Sequence, residues 1–156
     1  WLSVNAWRED VQRVAREMYP SMMSSSFTRV QYSGFLHNIL DTTDGAVYWH
    51  CSQGKDRTGF GAAVLLAALG ADMDLIMHDY EISNEFYVKD VQEAYSHVST
   101  DAEKEAILTF VGVNRKYFRG ALNMLEEECG SMMGFVQKQL NLTDGDIRIL
   151  RERYLE

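Results

Sequence analysis

The sequence is poor in cysteine, in positive charge and in long apolar runs, and each shortage excludes a class of protein. Two cysteines, Cys51 and Cys129, are too few for a disulfide framework. Fifteen basic residues stand against 23 acidic ones, and the net charge of −8 argues against a general binder of nucleic acid or anionic membranes. No apolar run approaches the roughly 18 residues of a membrane span. We therefore expect a soluble, acidic, globular protein that binds no nucleic acid.

The start of the chain lacks the features of a targeting segment. It opens on Trp1 instead of Met, and it has no basic stretch followed by the apolar stretch of a signal peptide. We expect a cytoplasmic protein. Secretion stays open, because the native N-terminus could lie upstream of Trp1.

The composition fits one domain over residues 1–156, since 46% of the residues are apolar, 24% are charged and no repeat or linker divides them. Helical spacing and capping residues predict that most of this domain is helical. Helices are expected over 5–18 with an end at Pro20, after Ser24–Ser26, over 58–69 and 74–87, and from Thr100, Asn114, Ser131 and Thr143. The predicted apolar positions are Trp7, Val11, Val14 and Met18 in the first helix, and Phe27, Val30, Phe35 and Ile39 in the second.

One segment differs from these helices. Residues 46–50, Ala-Val-Tyr-Trp-His, are short, apolar and rich in β-forming residues, and they predict a buried strand. A single strand cannot satisfy its own backbone hydrogen bonds, and a buried strand needs neighbours on both sides. Either further strands escape the sequence pattern, or the partner strands lie outside this chain.

A glycine-containing loop, His-Cys-Ser-Gln-Gly-Lys-Asp-Arg-Thr-Gly at residues 50–59, joins this predicted strand to the next helix. Backbone N–H groups in such a loop can converge on a phosphate, and a helix N-terminus adds about half a unit of positive charge. It is not a Walker loop, because Asp56 stands where Ser or Thr is required. We expect phosphate or another oxyanion to be bound by Ser52, Gln53, Gly54, Lys55, Asp56 and Arg57.

Cys51 gives this loop a nucleophile. The helix end, the N–H groups and Arg57 all favour its thiolate, and the planar Arg57 side chain can hold two phosphate oxygens. Thr58 can donate a hydrogen bond to the departing thiolate in a second step. His50 is predicted to order the loop and to support the thiolate. Because the loop neutralises the phosphate by itself, neither a metal nor another cofactor is expected.

The string from His50 to Gly59 resembles the signature loop of the cysteine-dependent protein tyrosine phosphatases, in the version found in their bacterial and fungal branch. The likeness continues in Asp79-Tyr80-x-x-Ser83-Asn84 and in the C-terminal helices. The resemblance implies an α/β fold with a central sheet flanked by helices. This chain would then supply the catalytic strand, loop and helix, and most of its residues would be helical. The family's opening Asn-Phe-Arg-Asp-Leu-Gly-Gly-like motif has no match in residues 1–45. We therefore expect residues 1–156 to be the C-terminal part of a larger fold, whose N-terminal segment is missing or supplied by a companion chain.

The resemblance also implies roles for single residues. The family's Trp-Pro-Asp acid loop is absent, since the one proline is Pro20, and in this branch the proposed acid corresponds to Asp56. Asp56 could instead be a structural carboxylate that braces the loop. Lys55 is either a solvated lysine at the loop rim or a phosphate contact, which in lipid-active relatives is associated with inositol phosphates.

The expected function is hydrolysis of phosphotyrosine in a phosphorylated protein through a cysteinyl-phosphate intermediate. A phosphoinositide or dual-specificity phosphatase would use the same loop. The alternative outside the enzymes is a non-catalytic fragment that only binds phosphate. The presence of Cys51, Arg57 and Thr58 together argues against that last alternative, because a binding module has no need of the nucleophile.

Overall fold

The computed structural model describes the backbone of residues 4–155 and the side chains of residues 11–155. These residues form eight helices and no strand. The helices are α1 (Val4–Ser24), α2 (Ser26–Asp41), α3 (Asp56–Leu69), α4 (Met73–Tyr95), α5 (Asp101–Phe110), α6 (Arg115–Cys129), α7 (Met132–Lys138) and α8 (Asp144–Tyr154). All eight were predicted from the sequence, and α1 and α4 run further than the spacing indicated.

Helix α1 continues through Pro20, so the end predicted there is wrong. Tertiary packing outweighs the lost backbone donor, because α1 buries one residue in every four against the rest of the protein. The Ser24 hydroxyl also donates to the Pro20 carbonyl at 2.7 Å. Of the predicted apolar positions, Val14 is 40% exposed and the Trp7 side chain lies outside the described residues. The buried face consists of Val11, Ala15, Tyr19 and Met23.

Helix α2 buries only its second half. Its N-cap is Ser25, whose hydroxyl accepts a hydrogen bond from the Thr28 N–H at 3.1 Å. Leu36 and Ile39 are fully buried, whereas Phe27 and Val30 are 73% and 67% exposed. The predicted apolar face of α2 is therefore wrong at Phe27 and Val30. No described residue covers these two side chains.

Residues 46–50 have no regular secondary structure, so the predicted strand is not present among residues 4–155. The segment is not buried either, since Tyr48 is 84% exposed. The reason is the one that the sequence raised: no other described segment offers the backbone groups with which a strand must pair. Trp49 anchors the segment by packing on Phe35 with ring centroids 5.2 Å apart, and Val47 packs against the core.

Helix α3 occupies the centre of the structure and packs against α2, α4, α7 and α8. Its small buried side chains, such as Ala63, Ala67 and Ala68, allow these neighbours to approach closely. It ends at Gly70 in the left-handed conformation (φ 99°), as the sequence predicted. The N-caps predicted at Thr100, Asn114, Ser131 and Thr143 are all confirmed. None of the helices within residues 4–155 has the length and apolar character needed to cross a membrane.

Candidate active site

Cys51 lies in the loop that leads into α3, at the side of an open cavity of about 220 Å³. Tyr32 from α2 and Trp49 line this cavity, together with Arg57 and Thr58 from the first turn of α3. Cys51 itself is half-buried, so its sulfur can meet a substrate that enters from solvent. Cys51, Arg57 and Thr58, which the sequence predicts to share one catalytic site, thus line the same cavity.

The environment of Cys51 favours its thiolate. Desolvation alone would raise the pKa of the thiol, but hydrogen bonds from the Thr58 hydroxyl and from the backbone N–H groups of Thr58, Gln53 and Gly54 outweigh it. Together they lower the pKa of Cys51 from 9.0 to about 6. The Thr58 hydroxyl is buried and unpaired among the described residues, so its proton is available to the Cys51 thiolate. The loop therefore holds a nucleophile that is mostly ionised at neutral pH.

Arg57 is exposed on the same side of the loop as Cys51. Its Nη2 donates to the Ser52 hydroxyl oxygen at 3.0 Å, which ties the start of the loop to the helix. The arginine therefore lies across the mouth of the loop, with its remaining donors available to an oxyanion.

Asp56, the first residue of α3, is bound by two tyrosines that the sequence analysis did not assign to the site. The hydroxyls of Tyr19 and Tyr80 donate to Asp56 Oδ1 at 2.7 Å and 3.1 Å, and the two hydroxyls lie 3.0 Å from each other. Both tyrosines are fully buried, and burial with the nearby Asp56 charge raises the pKa of each phenol. Asp56 Oδ1 thus links the loop to α1 and α4. The other carboxylate oxygen, Oδ2, accepts no hydrogen bond from a described residue.

Lys55 matches neither alternative that the sequence left open for its side chain. It is 2% exposed, and its ammonium group donates to the carbonyls of Phe110, Val111 and Gly112 at 2.6, 3.2 and 2.7 Å. Burial lowers the pKa of Lys55, and the nearby Asp56 and Cys51 charges oppose that effect. The side chain is thus an anchor between the loop and the end of α5, and it does not lie at the rim.

Further side chains hold the backbone of the loop from both sides. Tyr32 donates its hydroxyl to the Arg57 carbonyl at 2.8 Å, and Trp49 Nε1 donates to the Thr58 carbonyl at 3.2 Å. On the other side, the Tyr87 hydroxyl donates to the Gln53 carbonyl. Sequence reasoning missed these contacts, because an aromatic residue in a helical or strand-like segment is indistinguishable from an ordinary packing residue.

His50 contacts the backbone of the loop and not the nucleophile. Its Nδ1 lies 3.2 Å from the Cys51 carbonyl oxygen, to which it donates in the tautomer that carries the Nδ1 proton. The ring is exposed and stacks on Tyr48, with centroids 5.5 Å apart. The contact with the Cys51 carbonyl supports the predicted role of His50 in ordering the loop. No contact between His50 and the Cys51 sulfur is present among the described residues.

Two glycines shape the loop and its helix. Gly54 adopts φ 69°, a left-handed conformation that glycine reaches without strain. Gly59 allows α3 to meet α4, because a Cβ there would lie 2.8 Å from Cδ2 of the Tyr80 ring. These positions fit the spacing of glycines that the signature loop requires.

The same sequence pattern defines a family. A profile described as the tyrosine phosphatase family matches residues 4–156, nearly the whole chain. The chain belongs to this family.

Individual relatives agree with the family profile. The chain is 31% identical over 129 residues to a protein of Cupriavidus necator that carries the name tyrosine-protein phosphatase, a match that covers 81% of the chain and 46% of the relative. A tyrosine-protein phosphatase of Nostoc commune is 31% identical over 79% of the chain and 44% of its own length. The triple specificity protein phosphatase PtpB of Mycobacterium tuberculosis is 33% identical over 58% of the chain and 37% of its own length. The chain thus spans about half the length of the curated relatives it matches.

Proposed function

We propose that the protein hydrolyses phosphotyrosine in phosphorylated proteins through a phosphoryl group bound to Cys51. The observation that carries this proposal is the position of the half-buried Cys51 in one cavity with Arg57 and Thr58, at the N-terminus of α3, where hydrogen bonds lower the pKa of its thiol. A buried structural cysteine has no need of such surroundings. The names of the relatives support the same chemistry.

In the first step, the Cys51 thiolate attacks phosphorus and the bond from phosphorus to the phenolic oxygen breaks. Arg57 holds two phosphate oxygens, and the backbone N–H groups from Ser52 to Arg57 bind the charge that accumulates on the equatorial oxygens. The leaving phenolate takes a proton from a general acid.

In the second step, water attacks the same phosphorus and the sulfur leaves as a thiolate. The Thr58 hydroxyl, which already favours the thiolate in the free protein, stabilises this leaving group. Inorganic phosphate and the free enzyme are then the products.

We propose Asp56 as the general acid, acting through Oδ2. Its Oδ1 accepts hydrogen bonds from Tyr19 and Tyr80 and so has the structural role. Oδ2 would carry the proton of the acid, so one carboxyl group serves both roles that the sequence left as alternatives. Asp56→Asn keeps an oxygen for the two tyrosines and removes the proton. We expect kcat to fall more for phosphotyrosine than for para-nitrophenyl phosphate, whose leaving group needs no acid. Equal losses for both substrates would place the acid elsewhere.

For the fold, we propose that residues 46–50 form a strand of a central sheet when further segments are present to pair with them. The unpaired and exposed state of this segment supports the proposal, as does the greater length of the relatives. Hydrogen exchange of the Val47 and Tyr48 amides in the full-length protein tests it. Slow exchange is expected for a paired strand, and exchange as fast as in the turn at Gly45 would contradict it.

The activity is tested by Cys51→Ser, since a serine at this position lacks the low pKa of the thiol. We expect no turnover of phosphotyrosine peptide or para-nitrophenyl phosphate, with binding of tungstate, a phosphate analogue, retained. Cys129→Ala is the matched control, because Cys129 is buried in the core far from the loop in sequence, and this variant should keep its turnover. Turnover that survives in Cys51→Ser would refute the mechanism.

A phosphoinositide or dual-specificity phosphatase is the second candidate, favoured by the name of the mycobacterial relative, a triple specificity phosphatase. Rates on phosphotyrosine peptide, phosphoserine peptide and a phosphoinositide in vesicles separate the two. The buried position of Lys55 argues against a direct contact between its side chain and an inositol phosphate in this structure.

A further inference from the structure

A groove of about 330 Å³ lies beside the catalytic loop, between α3 and α4. Gln53, Gly54 and Thr58 line one end of it. Thr58 also lines the cavity that contains Cys51, so the groove and that cavity are neighbours. A group bound in the groove is therefore close to a phosphate bound at Cys51. The volume lies at the small end of ligand pockets, which suits one side chain better than a second whole ligand.

The groove combines an apolar wall with a single negative charge. Phe86 and Ile82 on α4 are 82% and 37% exposed and form the wall. Asp79 is the one charged residue of its lining among the described residues, and it makes no ion pair with any of them. The Asp79 residue is exposed to solvent at the groove, and partial desolvation there raises the pKa of its carboxyl, which the neighbouring His78 opposes as a smaller effect. A cation that enters the groove can pair with this carboxylate.

We propose, on the basis of the proposed phosphatase activity, that this groove binds a lysine or arginine side chain adjacent to the phosphotyrosine of a protein substrate. The aliphatic stem of such a side chain packs on Ile82 and Phe86, and its charged end meets Asp79. The exposed Phe86 ring offers a further site for a guanidinium group through its face. The groove is thus a specificity pocket for basic phosphotyrosine sequences.

The charge of the surrounding helix favours a peptide over a lipid surface. Helix α4 carries six acidic residues against one lysine. A helix with this charge beside the active site repels the anionic membrane in which a phosphoinositide is embedded, and it attracts a basic peptide. The same groove therefore distinguishes the two substrate classes that the catalytic loop by itself leaves open.

The test compares kcat/KM for two phosphotyrosine peptides that differ only in the flanking residues, arginine in one and glutamine in the other. The ratio of the two values measures selectivity independently of the chemical step. We expect the protein to favour the arginine peptide by about 1.5-fold to fivefold, the range of an exposed ion pair, and the preference to shrink at high salt. Asp79→Asn should bring the ratio close to one. Glu85→Gln is the matched control, because Glu85 is an exposed carboxylate on the same helix outside the groove, and its ratio should remain that of the unaltered protein.

Three outcomes would overturn the proposal: no preference for arginine in the unaltered protein, an equal loss of preference in Asp79→Asn and Glu85→Gln, or faster turnover of a phosphoinositide in anionic vesicles than of either peptide. The turnover of para-nitrophenyl phosphate separates this failure from that of the activity itself. If the protein hydrolyses that compound but shows no peptide preference, only the groove proposal fails. If it hydrolyses neither peptide nor aryl phosphate, both proposals fail.

Discussion

Removal of the Thr58 hydroxyl should move the reactivity of Cys51 to higher pH. A thiol with a pKa of about 6 is about 90% ionised at pH 7, against about 1% for a thiol at its ordinary pKa of 9.0. The Thr58 hydroxyl is one of four donor groups that lower the pKa of Cys51, and the other three are backbone N–H groups that Thr58→Ala retains.

The size of the shift follows from the strength of one hydrogen bond to a charged group. Such a bond is worth about 1.5–3 kcal/mol, and about 1.4 kcal/mol corresponds to one pKa unit. The pKa of Cys51 in Thr58→Ala should therefore rise by about 1–2 units, to about 7–8. At pH 6 the thiolate fraction then falls by roughly fivefold to fiftyfold.

The assay is the rate of alkylation by iodoacetamide as a function of pH. The reagent is neutral, so Arg57 does not bias its approach, and mass spectrometry of peptides separates Cys51 from the buried Cys129. Since only the thiolate reacts, the rate should rise through pH 6 and level off above pH 7 in the unaltered protein. Thr58→Ser keeps the hydroxyl and should follow that curve. An inflection above pH 8 in the unaltered protein, or one that does not move in Thr58→Ala, would refute the reasoning.

Two further predictions concern the packing that holds the loop, and both are measured by urea unfolding. Lys55→Met keeps the stem but leaves the carbonyls at the end of α5 without their donor, so the free energy of unfolding should fall by roughly 1–3 kcal/mol; a value within error of the unaltered protein would contradict the anchor. Gly59→Ala should cost about 1–3 kcal/mol, because its Cβ would lie 2.8 Å from the Tyr80 ring. Gly34→Ala is its control, since that position in α2 is open, and a gain of about 0.5–1 kcal/mol is expected.

The helices were predictable because their signals are local. The left-handed Gly70, the capping box of Thr100 with Glu103 and the N-cap at Asn114 all act within a few residues of the chain. Pro20 misled the prediction for the opposite reason, since packing by distant helices decides whether a helix tolerates a proline. The strand predicted at 46–50 does not form among the described residues, because a strand depends on distant partners that a local pattern does not contain.

The candidate site divides in the same way. Cys51, Arg57 and Thr58 belong to one short string, and a strand-like segment followed by a helix was enough to bring them together. The braces come from elsewhere in the chain: Tyr19 is separated from Asp56 by 37 residues and Lys55 from Gly112 by 57. Nothing in the sequence around a tyrosine or a lysine indicates a contact with a residue so far away along the chain. Only the folded structure assigns these residues to the loop.

Trapping the intermediate shows whether Cys51 forms a covalent bond to phosphorus. The protein is mixed with a phosphotyrosine peptide, quenched in acid within the first turnover, and digested for mass spectrometry. We expect the peptide containing Cys51 to gain the mass of one phosphoryl group, and Cys51→Ser to show no such gain. Rapid turnover with no phosphoryl group on Cys51, or with the group on another residue, would rule out the proposed nucleophile.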